Sequence, residues 1–167
     1  MRNRIDKLSL AGIALLLLMP AAVYPQSESI FKRLHGSWTG EGKTLEMPAN
    51  LRMTWEWVLG EKFLRLSLKN EMKTASGNVQ LFEGHAYYQL SEGKCEGTWF
   101  DSRGMSFPIK CTIEGQALTA MWGAPGQENG KSVYTILADG KLEVVDSVKQ
   151  KDGSWKEFGR FVMTRDK

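Results

Sequence analysis

Two acidic residues, Asp146 and Glu157, occur in neighbouring strand-like segments near the C-terminus. Two carboxyl groups held side by side can act as general acid and general base. The strand register described below makes them diagonal neighbours near one end of a sheet, where solvated carboxylates are ordinary. The sequence also contains no nucleophile elbow, phosphate loop, metal-ligand cluster or histidine beside a carboxylate. We therefore expect no catalytic residues, no metal and no cofactor, and we expect that the protein is not an enzyme.

The two cysteines, Cys95 and Cys111, are a second candidate for chemistry. A disulfide is chemically permitted in an exported protein, and residues directly opposite each other in an antiparallel pair are close enough to form one. The alternative is two small buried side chains that face each other without a bond. A change of one residue in the turn at 102–104 would separate them, so both interpretations stay open.

The N-terminus has the layout of a secretory signal peptide. Basic residues precede an apolar run over 8–19, and Pro20 follows that run. The run is shorter than the roughly 20 residues of a membrane-spanning helix, which makes an uncleaved anchor the less favoured alternative. We expect residues 1–26 to be a signal peptide, residues 27–167 to form one domain, and the mature protein to be secreted or periplasmic.

Removal of residues 1–26 takes away three basic residues and one acidic residue, so the formal net charge falls from +3 to +1. Domains that bind nucleic acids are usually strongly and asymmetrically basic. We therefore expect no nucleic-acid partner. After cleavage we expect no stable membrane span, and the oligomeric state is left open.

The rest of the sequence is typical of all-β structure, because runs rich in aromatic and β-branched residues alternate with turns that contain glycine. Only residues 27–34 favour a helix, with a serine as its cap. The sequence contains ten predicted strands: 36–43, 51–59, 63–72, 79–90, 95–101, 105–113, 116–123, 131–138, 141–149 and 154–165.

The turns between these runs predict the strand register, since a short hairpin loop fixes which residues face each other. Seven predicted turns set the register: Gly60-Glu61, 74–78 centred near Ser76, Glu92-Gly93, a turn around Arg103, Glu114-Gly115, Asp139-Gly140 and Asp152-Gly153. The pairs predicted from them are Trp57 with Leu64, Leu64 with Tyr88, Trp99 with Phe107, Cys95 with Cys111, Leu137 with Leu142, Val144 with Phe161, Asp146 with Gly159 and Glu157 with Val148. With these pairs, the same alternate residues of every strand face one side of the sheet, and that side is mainly apolar throughout.

A ten-stranded antiparallel sheet has two exposed edges unless it closes on itself. An even number of strands makes the last strand antiparallel to the first, so the sheet can close. We predict a single closed antiparallel up-and-down β-barrel of about ten strands with a short N-terminal helix. A sandwich or a curled open sheet is the alternative.

Residues 34–42 read leucine-x-Gly-x-Trp-x-Gly-x-Gly, and this opening resembles that of the calycins, which include the lipocalins and the fatty-acid-binding proteins. The chain is most similar to nitrobindin-like barrels and related exported bacterial domains, through this opening and through residues 97–104 and 161–165. The resemblance implies a lipocalin-like barrel over 27–167.

In lipocalins the motif tryptophan packs against a basic residue from the last strand. The resemblance therefore implies a structural role for Gly36, Trp38 and Arg165, with Arg165 over the Trp38 ring. Arg160 is the alternative partner for Trp38, although its position in the strand predicts an outward-facing side chain.

Nitrobindins hold haem through a histidine, and the histidines of this chain do not fit that part of the resemblance. The chain contains only His35 and His85, neither of them in the last two strands. We therefore disfavour haem binding, and we regard Met121 and Met163 as core residues rather than ligands.

The inward face predicts an aromatic interior that binds a hydrophobic small molecule or lipid. The predicted lining residues are Trp55, Trp57, Leu66, Phe82, Tyr88, Trp99, Phe107, Trp122, Asp146, Glu157 and Phe161. Asn70 and Thr135 are further polar residues on this face. The alternative is a filled barrel that acts as an envelope structural or interaction domain through outward apolar residues: Phe100, Tyr134, Ile136, Val145 and Phe158.

Overall fold

One short helix and ten antiparallel strands make up the computed structural model, which describes residues 26–91, 94–124, 126 and 128–167. Apart from Gln26, the predicted signal peptide lies outside the described residues. No helix in the described part of the chain is long and apolar enough to cross a membrane. The elements are α1 (Gln26–Leu34), β1 (Gly36–Thr44), β2 (Met47–Val58), β3 (Phe63–Lys73), β4 (Val79–Ser91), β5 (Lys94–Asp101), β6 (Ser106–Glu114), β7 (Ala117–Gly123), β8 (Asn129–Ile136), β9 (Leu142–Lys149) and β10 (Trp155–Arg165).

The strands pair in chain order, and β1 closes the sheet by pairing with β10. Trp38 of β1 lies opposite Arg165 of β10. Closure satisfies the backbone hydrogen bonds of both edge strands, which an open sheet would leave exposed. The predicted closed ten-stranded up-and-down barrel is confirmed.

The register is as predicted at the first four turns. At the fifth, the predicted side of β7 still faces inward, although Glu114 pairs with Ala117 rather than lying in the turn. Trp57 faces Leu64, and Leu64 also faces Tyr88 on its other side. Trp99 faces Phe107 across β5 and β6. These pairs keep one apolar face directed into the barrel as far as β7, in agreement with the alternation of the sequence.

The turn between β8 and β9 differs from the prediction. The backbone N–H of Leu137 donates to the Lys141 carbonyl, and Gly140 has φ 83°, so the loop contains three residues rather than two. Ile136, not Leu137, therefore faces Leu142. The shift reverses the parity of β8, so the predictions that Thr135 faces inward and that Tyr134 and Ile136 face outward are wrong. Tyr134 and Ile136 are both buried.

The turn between β9 and β10 has the same three-residue form, and a β-bulge follows it between Glu157 and Gly159. The bulge contributes one extra residue, which cancels the shift made by the turn. Asp146 consequently faces Gly159 and Val144 faces Phe161, as predicted. Before the bulge the shift is not cancelled, so Glu157 faces Ser147 and the predicted pair with Val148 is wrong.

Helix α1 closes one end of the barrel with three buried side chains, Ile30, Phe31 and Leu34. The Trp38 indole N–H donates to the Leu34 carbonyl at 2.7 Å. The Arg165 guanidinium lies 4.3 Å from the centre of the Trp38 ring, and it donates to the carbonyls of residues 33 and 35. The predicted cation–π pair is therefore present, and it joins helix, first strand and last strand.

The interior next to α1 is filled. Trp55 is fully buried, with its ring 5.5 Å from that of Tyr88 and 5.1 Å from that of Tyr134. Cys95 and Cys111 form a disulfide between β5 and β6, with their Cα atoms 5.2 Å apart. We call this part of the barrel the closed half.

Candidate ligand-binding cavity

A cavity of about 340 Å³ occupies the other half of the barrel, which we call the open half. Its mouth lies at the strand ends remote from α1, where Leu45, Arg103 and Glu128 belong to three different turns or loops. The interior is therefore filled only in the closed half. The alternative of a completely filled barrel is contradicted by this cavity.

Two aromatic pairs form much of the cavity surface. The rings of Phe82 and Trp99 stack with their centres 6.4 Å apart, and those of Phe107 and Trp122 lie 5.8 Å apart. All four side chains line the cavity. Offset and tilted pairs of this kind hold each ring in a defined orientation, so the apolar surface is built before any ligand arrives.

Two glycines make room for the tryptophan rings. A Cβ atom at Gly84 would lie 2.2 Å from Cζ2 of Trp99, and one at Gly130 would lie 2.0 Å from Cζ2 of Trp122. Any other residue would force the ring away from its present position. The absence of two side chains in the wall therefore lets both indoles lie flat against it and leaves the centre of the barrel open.

Four of the eleven predicted lining residues do not line the cavity. Trp55 and Leu66 are fully buried in the closed half, and Trp57 also lies outside the cavity lining. Glu157 lies on the exposed outer side because the bulge comes after it in β10. The predicted residues that do line the cavity are Phe82, Tyr88, Trp99, Phe107, Trp122, Asp146 and Phe161.

Glu157 and Asp146 do not form an acid–base pair. The Glu157 carboxylate accepts two hydrogen bonds from the Arg160 guanidinium, at 2.9 and 2.7 Å, on the outside of the barrel. These bonds hold the pKa of Glu157 below its ordinary value. Asp146 faces the cavity instead, so the two carboxyl groups lie on opposite sides of the sheet.

Asp146 belongs to a hydrogen-bonded chain inside the cavity. Its Oδ1 accepts a hydrogen bond of 2.6 Å from the Ser132 hydroxyl, whose oxygen accepts one of 3.3 Å from the Trp122 indole N–H. Burial raises the pKa of the Asp146 carboxyl to about 6, although the Ser132 bond acts in the opposite direction. The group is therefore ionised at neutral pH but close to titration.

Tyr88 and Tyr134 lie beside this carboxyl and beside each other. Burial raises the pKa of both phenols well above the ordinary value. Both are consequently neutral at physiological pH. Asp146 thus supplies the negative charge of the deep cavity.

Arg103 lies at the mouth, where two carboxylates neutralise it. Its guanidinium is 2.8 Å from Asp101 and 3.0 Å from Glu128, and it lies 5.7 Å above the Phe82 ring. Burial would raise the pKa of Asp101, but hydrogen bonds from Arg103 and from the Trp99 indole lower it below the ordinary value. This cluster connects the mouth to the aromatic surface.

Several cavity residues were missed from the sequence. Ser132 and Tyr134 were assigned to the wrong face with the rest of β8, and Phe158 is the extra residue of the bulge. Asn70 faces inward as predicted: its amide N–H donates to the Thr44 hydroxyl at 2.9 Å, and its carbonyl oxygen has no hydrogen-bond partner among the described residues. The correct faces of β8 could have been predicted from the position of Gly140 in the turn that follows. Gly140 comes three residues after Leu137, as Gly104 comes three residues after Asp101 in the turn around Arg103.

The cavity residues do not fit a histidine-ligated haem. His85 points outward, 3.1 Å from the Ser67 hydroxyl, and His35 is exposed. Met163 is buried in the core and Met121 is exposed on the outer face. The described residues of the cavity lining include no histidine, and the described chain holds no cluster of three metal-binding side chains.

No protein-family model and no curated protein sequence matches the chain. Solved structures do match the chain, and two of them follow. Rv2717c from M. tuberculosis is 16% identical with a TM-score of 0.62, covering 86% of this chain and 99% of its own. The S-type phycobiliprotein lyase CPES from Guillardia theta is 14% identical with a TM-score of 0.56, covering 84% of this chain and 93% of its own. Both support a calycin-like barrel fold, whereas the closer likeness to nitrobindins stays a prediction.

Proposed function

We propose that the protein binds a hydrophobic small molecule in the cavity of the open half and does not convert it chemically. The observation that carries this proposal is the preformed cavity of about 340 Å³, whose lining includes eight aromatic side chains. Its volume falls within the roughly 300–1,000 Å³ of small-molecule sites. Transfer of apolar ligand surface from water onto these rings provides the driving force.

The shape of the cavity supports binding by a rigid receptor. The walls are strands of a closed barrel, so the backbone cannot spread without breaking hydrogen bonds between neighbouring strands. The rings of Trp99 and Trp122 lie against Gly84 and Gly130 in the wall and pair with Phe82 and Phe107. A preorganised apolar surface binds with a smaller loss of conformational freedom than one that must form on binding.

Binding without catalysis is favoured by the separation of the carboxyl groups that sequence analysis had paired. Asp146 is inside and Glu157 is outside, so the two cannot act together on one substrate. The similar structure named as a lyase shows that a barrel of this fold can carry an activity. Activity depends on the site rather than on the fold, and the pairing on which an acid–base mechanism would rest is missing here.

We further propose that the protein is exported and acts in the periplasm or outside the cell. The signal-like N-terminus and the disulfide between Cys95 and Cys111 support this location. Expression of the full chain with a C-terminal tag, followed by cell fractionation and N-terminal sequencing, tests it. We expect a processed protein outside the cytoplasm. An unprocessed chain that remains in the cytoplasm would contradict export.

Calorimetric titration of the purified full chain with 1-naphthylmethanol, a neutral two-ring probe, tests the binding function. We expect saturable binding by the wild type and a loss of at least about tenfold in affinity for Gly84→Ala. The new methyl group would push the Trp99 ring into the cavity. His85→Ala changes the adjacent outward residue and serves as the matched control. Equal affinity of the wild type and Gly84→Ala would contradict binding in this cavity.

A further inference from the structure

Asp146 is a negative charge in the cavity that the protein itself does not neutralise. No lysine or arginine among the described residues forms an ion pair with it, and burial and Ser132 are what set its pKa. Oδ1 accepts the Ser132 hydrogen bond, whereas Oδ2 has no hydrogen-bond donor in the described part of the chain. A carboxylate away from bulk water normally has a charged or hydrogen-bonding partner. The cavity therefore contains an unused acceptor for a cation.

The groups around Asp146 leave its charge in place. Ser132 and Tyr134 face it from β8, Tyr88 faces it from β4, and Gly159 approaches Oδ2 from β10. The two phenols are the titratable groups of this set, and both remain neutral. Gly159 has no side chain, so no side chain from this position covers Oδ2. A ligand group can therefore approach the free oxygen.

The positive charge at the mouth does not serve as the missing partner. The Arg103 guanidinium is bound by Asp101 and Glu128, and it makes no contribution to the pKa of Asp146. Aromatic rings line the space between the mouth and Asp146. The faces of tryptophan, tyrosine and phenylalanine attract cations as well as apolar groups. A cationic ligand therefore meets favourable surfaces along the whole depth of the cavity.

We propose that the natural ligand is an aromatic or apolar amine whose protonated nitrogen binds Oδ2 of Asp146 while its apolar part contacts the Phe82–Trp99 and Phe107–Trp122 pairs. This inference rests on the proposed function, because it assigns a chemical class to the ligand of the same cavity. It also gives each part of the cavity a role. The carboxylate selects the charge and the rings select the apolar part.

The test compares three probes of one shape on the full chain at pH 7.5: 1-naphthylmethylamine, which is cationic, 1-naphthylmethanol, which is neutral, and 1-naphthoate, which is anionic. We expect the amine to bind at least about tenfold more tightly than the alcohol, as one charge-assisted hydrogen bond provides. The naphthoate should bind more weakly than either. In Asp146→Asn the amine and the alcohol should bind within about twofold of each other.

One control variant locates the charge that selects the amine. Glu157→Gln removes a carboxylate from the outer face of the barrel, away from the cavity. It should keep the preference for the amine. A preference that survives Asp146→Asn, or that disappears in Glu157→Gln, would overturn the assignment to Asp146.

The wild type provides a test that does not depend on the folding of any variant. The preference for the amine should decline as the pH falls through about 6, where Asp146 becomes protonated. Equal binding of alcohol and amine at pH 7.5 would overturn the ligand class and leave the proposed function standing. Failure of all three probes to bind would count against both.

Discussion

The closed and open halves of the barrel are built from the same ten strands, yet one is solid and the other holds a cavity of about 340 Å³. In the closed half, Trp38 and Trp55 are fully buried among large apolar neighbours. In the open half, Trp99 and Trp122 lie flat against glycines. Bulky aromatic residues therefore fill one half and line the other. The glycines beside Trp99 and Trp122 leave room along the wall for these two rings in the open half.

Trp38→Ala should have the largest effect on stability, because it removes a fully buried ring that joins α1, β1 and β10. Trp38 is 1% exposed and its indole N–H donates to the Leu34 carbonyl. Loss of a fully buried tryptophan costs about 3–5 kcal/mol. Urea unfolding measures the change, with Trp122→Ala as the control from the open half. Trp122 borders an existing cavity, so its loss should cost clearly less, and equal losses would remove the distinction between the two halves.

Removal of the disulfide should have the next largest effect. The bridge between Cys95 and Cys111 spans 16 residues of sequence, and closing a loop of that size stabilises a fold by about 3 kcal/mol. We expect the free energy of unfolding of the double variant Cys95→Ala, Cys111→Ala to be lower than that of the wild type by about this amount. Urea unfolding measures the difference. Affinity for 1-naphthylmethanol should stay within about twofold of the wild type, because neither cysteine lines the cavity. An unchanged unfolding free energy would contradict this role of the bridge.

Asp146→Asn should have a smaller effect that depends on pH. The pKa of Asp146 is raised from 3.8 to about 6, so the folded chain binds this proton more tightly than the unfolded chain does. The contribution of the group to stability is therefore present below about pH 4 and is lost as the pH rises through about 6. We expect Asp146→Asn to be more stable than the wild type by about 1–2 kcal/mol at pH 7.5, since partial exposure to the cavity reduces the full effect.

The difference between Asp146→Asn and the wild type should shrink towards zero at pH 4, which urea unfolding at both pH values would show. Glu157→Gln is the matched control, because Arg160 lowers the pKa of Glu157. Its loss should destabilise the chain at pH 7.5, in the opposite direction. If Asp146→Asn were less stable than the wild type at pH 7.5, the claim that Asp146 carries a buried charge without a neutralising partner would be contradicted.

The barrel could be predicted from the sequence because the turn chemistry and the alternation of apolar residues agree over most of the chain. The pairing of Trp38 with Arg165 followed from the even number of strands together with the likeness to lipocalins. The predicted faces of β8 are wrong because Asp139-Gly140 is part of a three-residue loop and not a complete two-residue turn. The spacing from Leu137 to Gly140 repeats that from Asp101 to Gly104, which was correctly treated as a longer turn.

The cavity could be predicted only in part. The lining side of most strands follows from parity, but the bulge in β10 has no clear signal beyond Gly159, and it decides that Phe158 lines the cavity and Glu157 does not. Whether a barrel is filled depends on contacts between strands, such as Trp99 against Gly84. These contacts can be identified only when the register is known. The sequence alone therefore did not decide between a filled interior and one with a cavity.

The indole N–H resonances of the protein provide the most direct test of the open half as the binding site. In a ¹H–¹⁵N spectrum of the full chain titrated with 1-naphthylmethanol, those of Trp99 and Trp122 should shift, because both rings line the cavity. Those of Trp38, buried in the closed half, and Trp155, on the outer surface beside Lys131, should stay unchanged. Shifts confined to Trp155, or as large at Trp38 as at Trp99, would contradict a ligand-binding cavity in the open half.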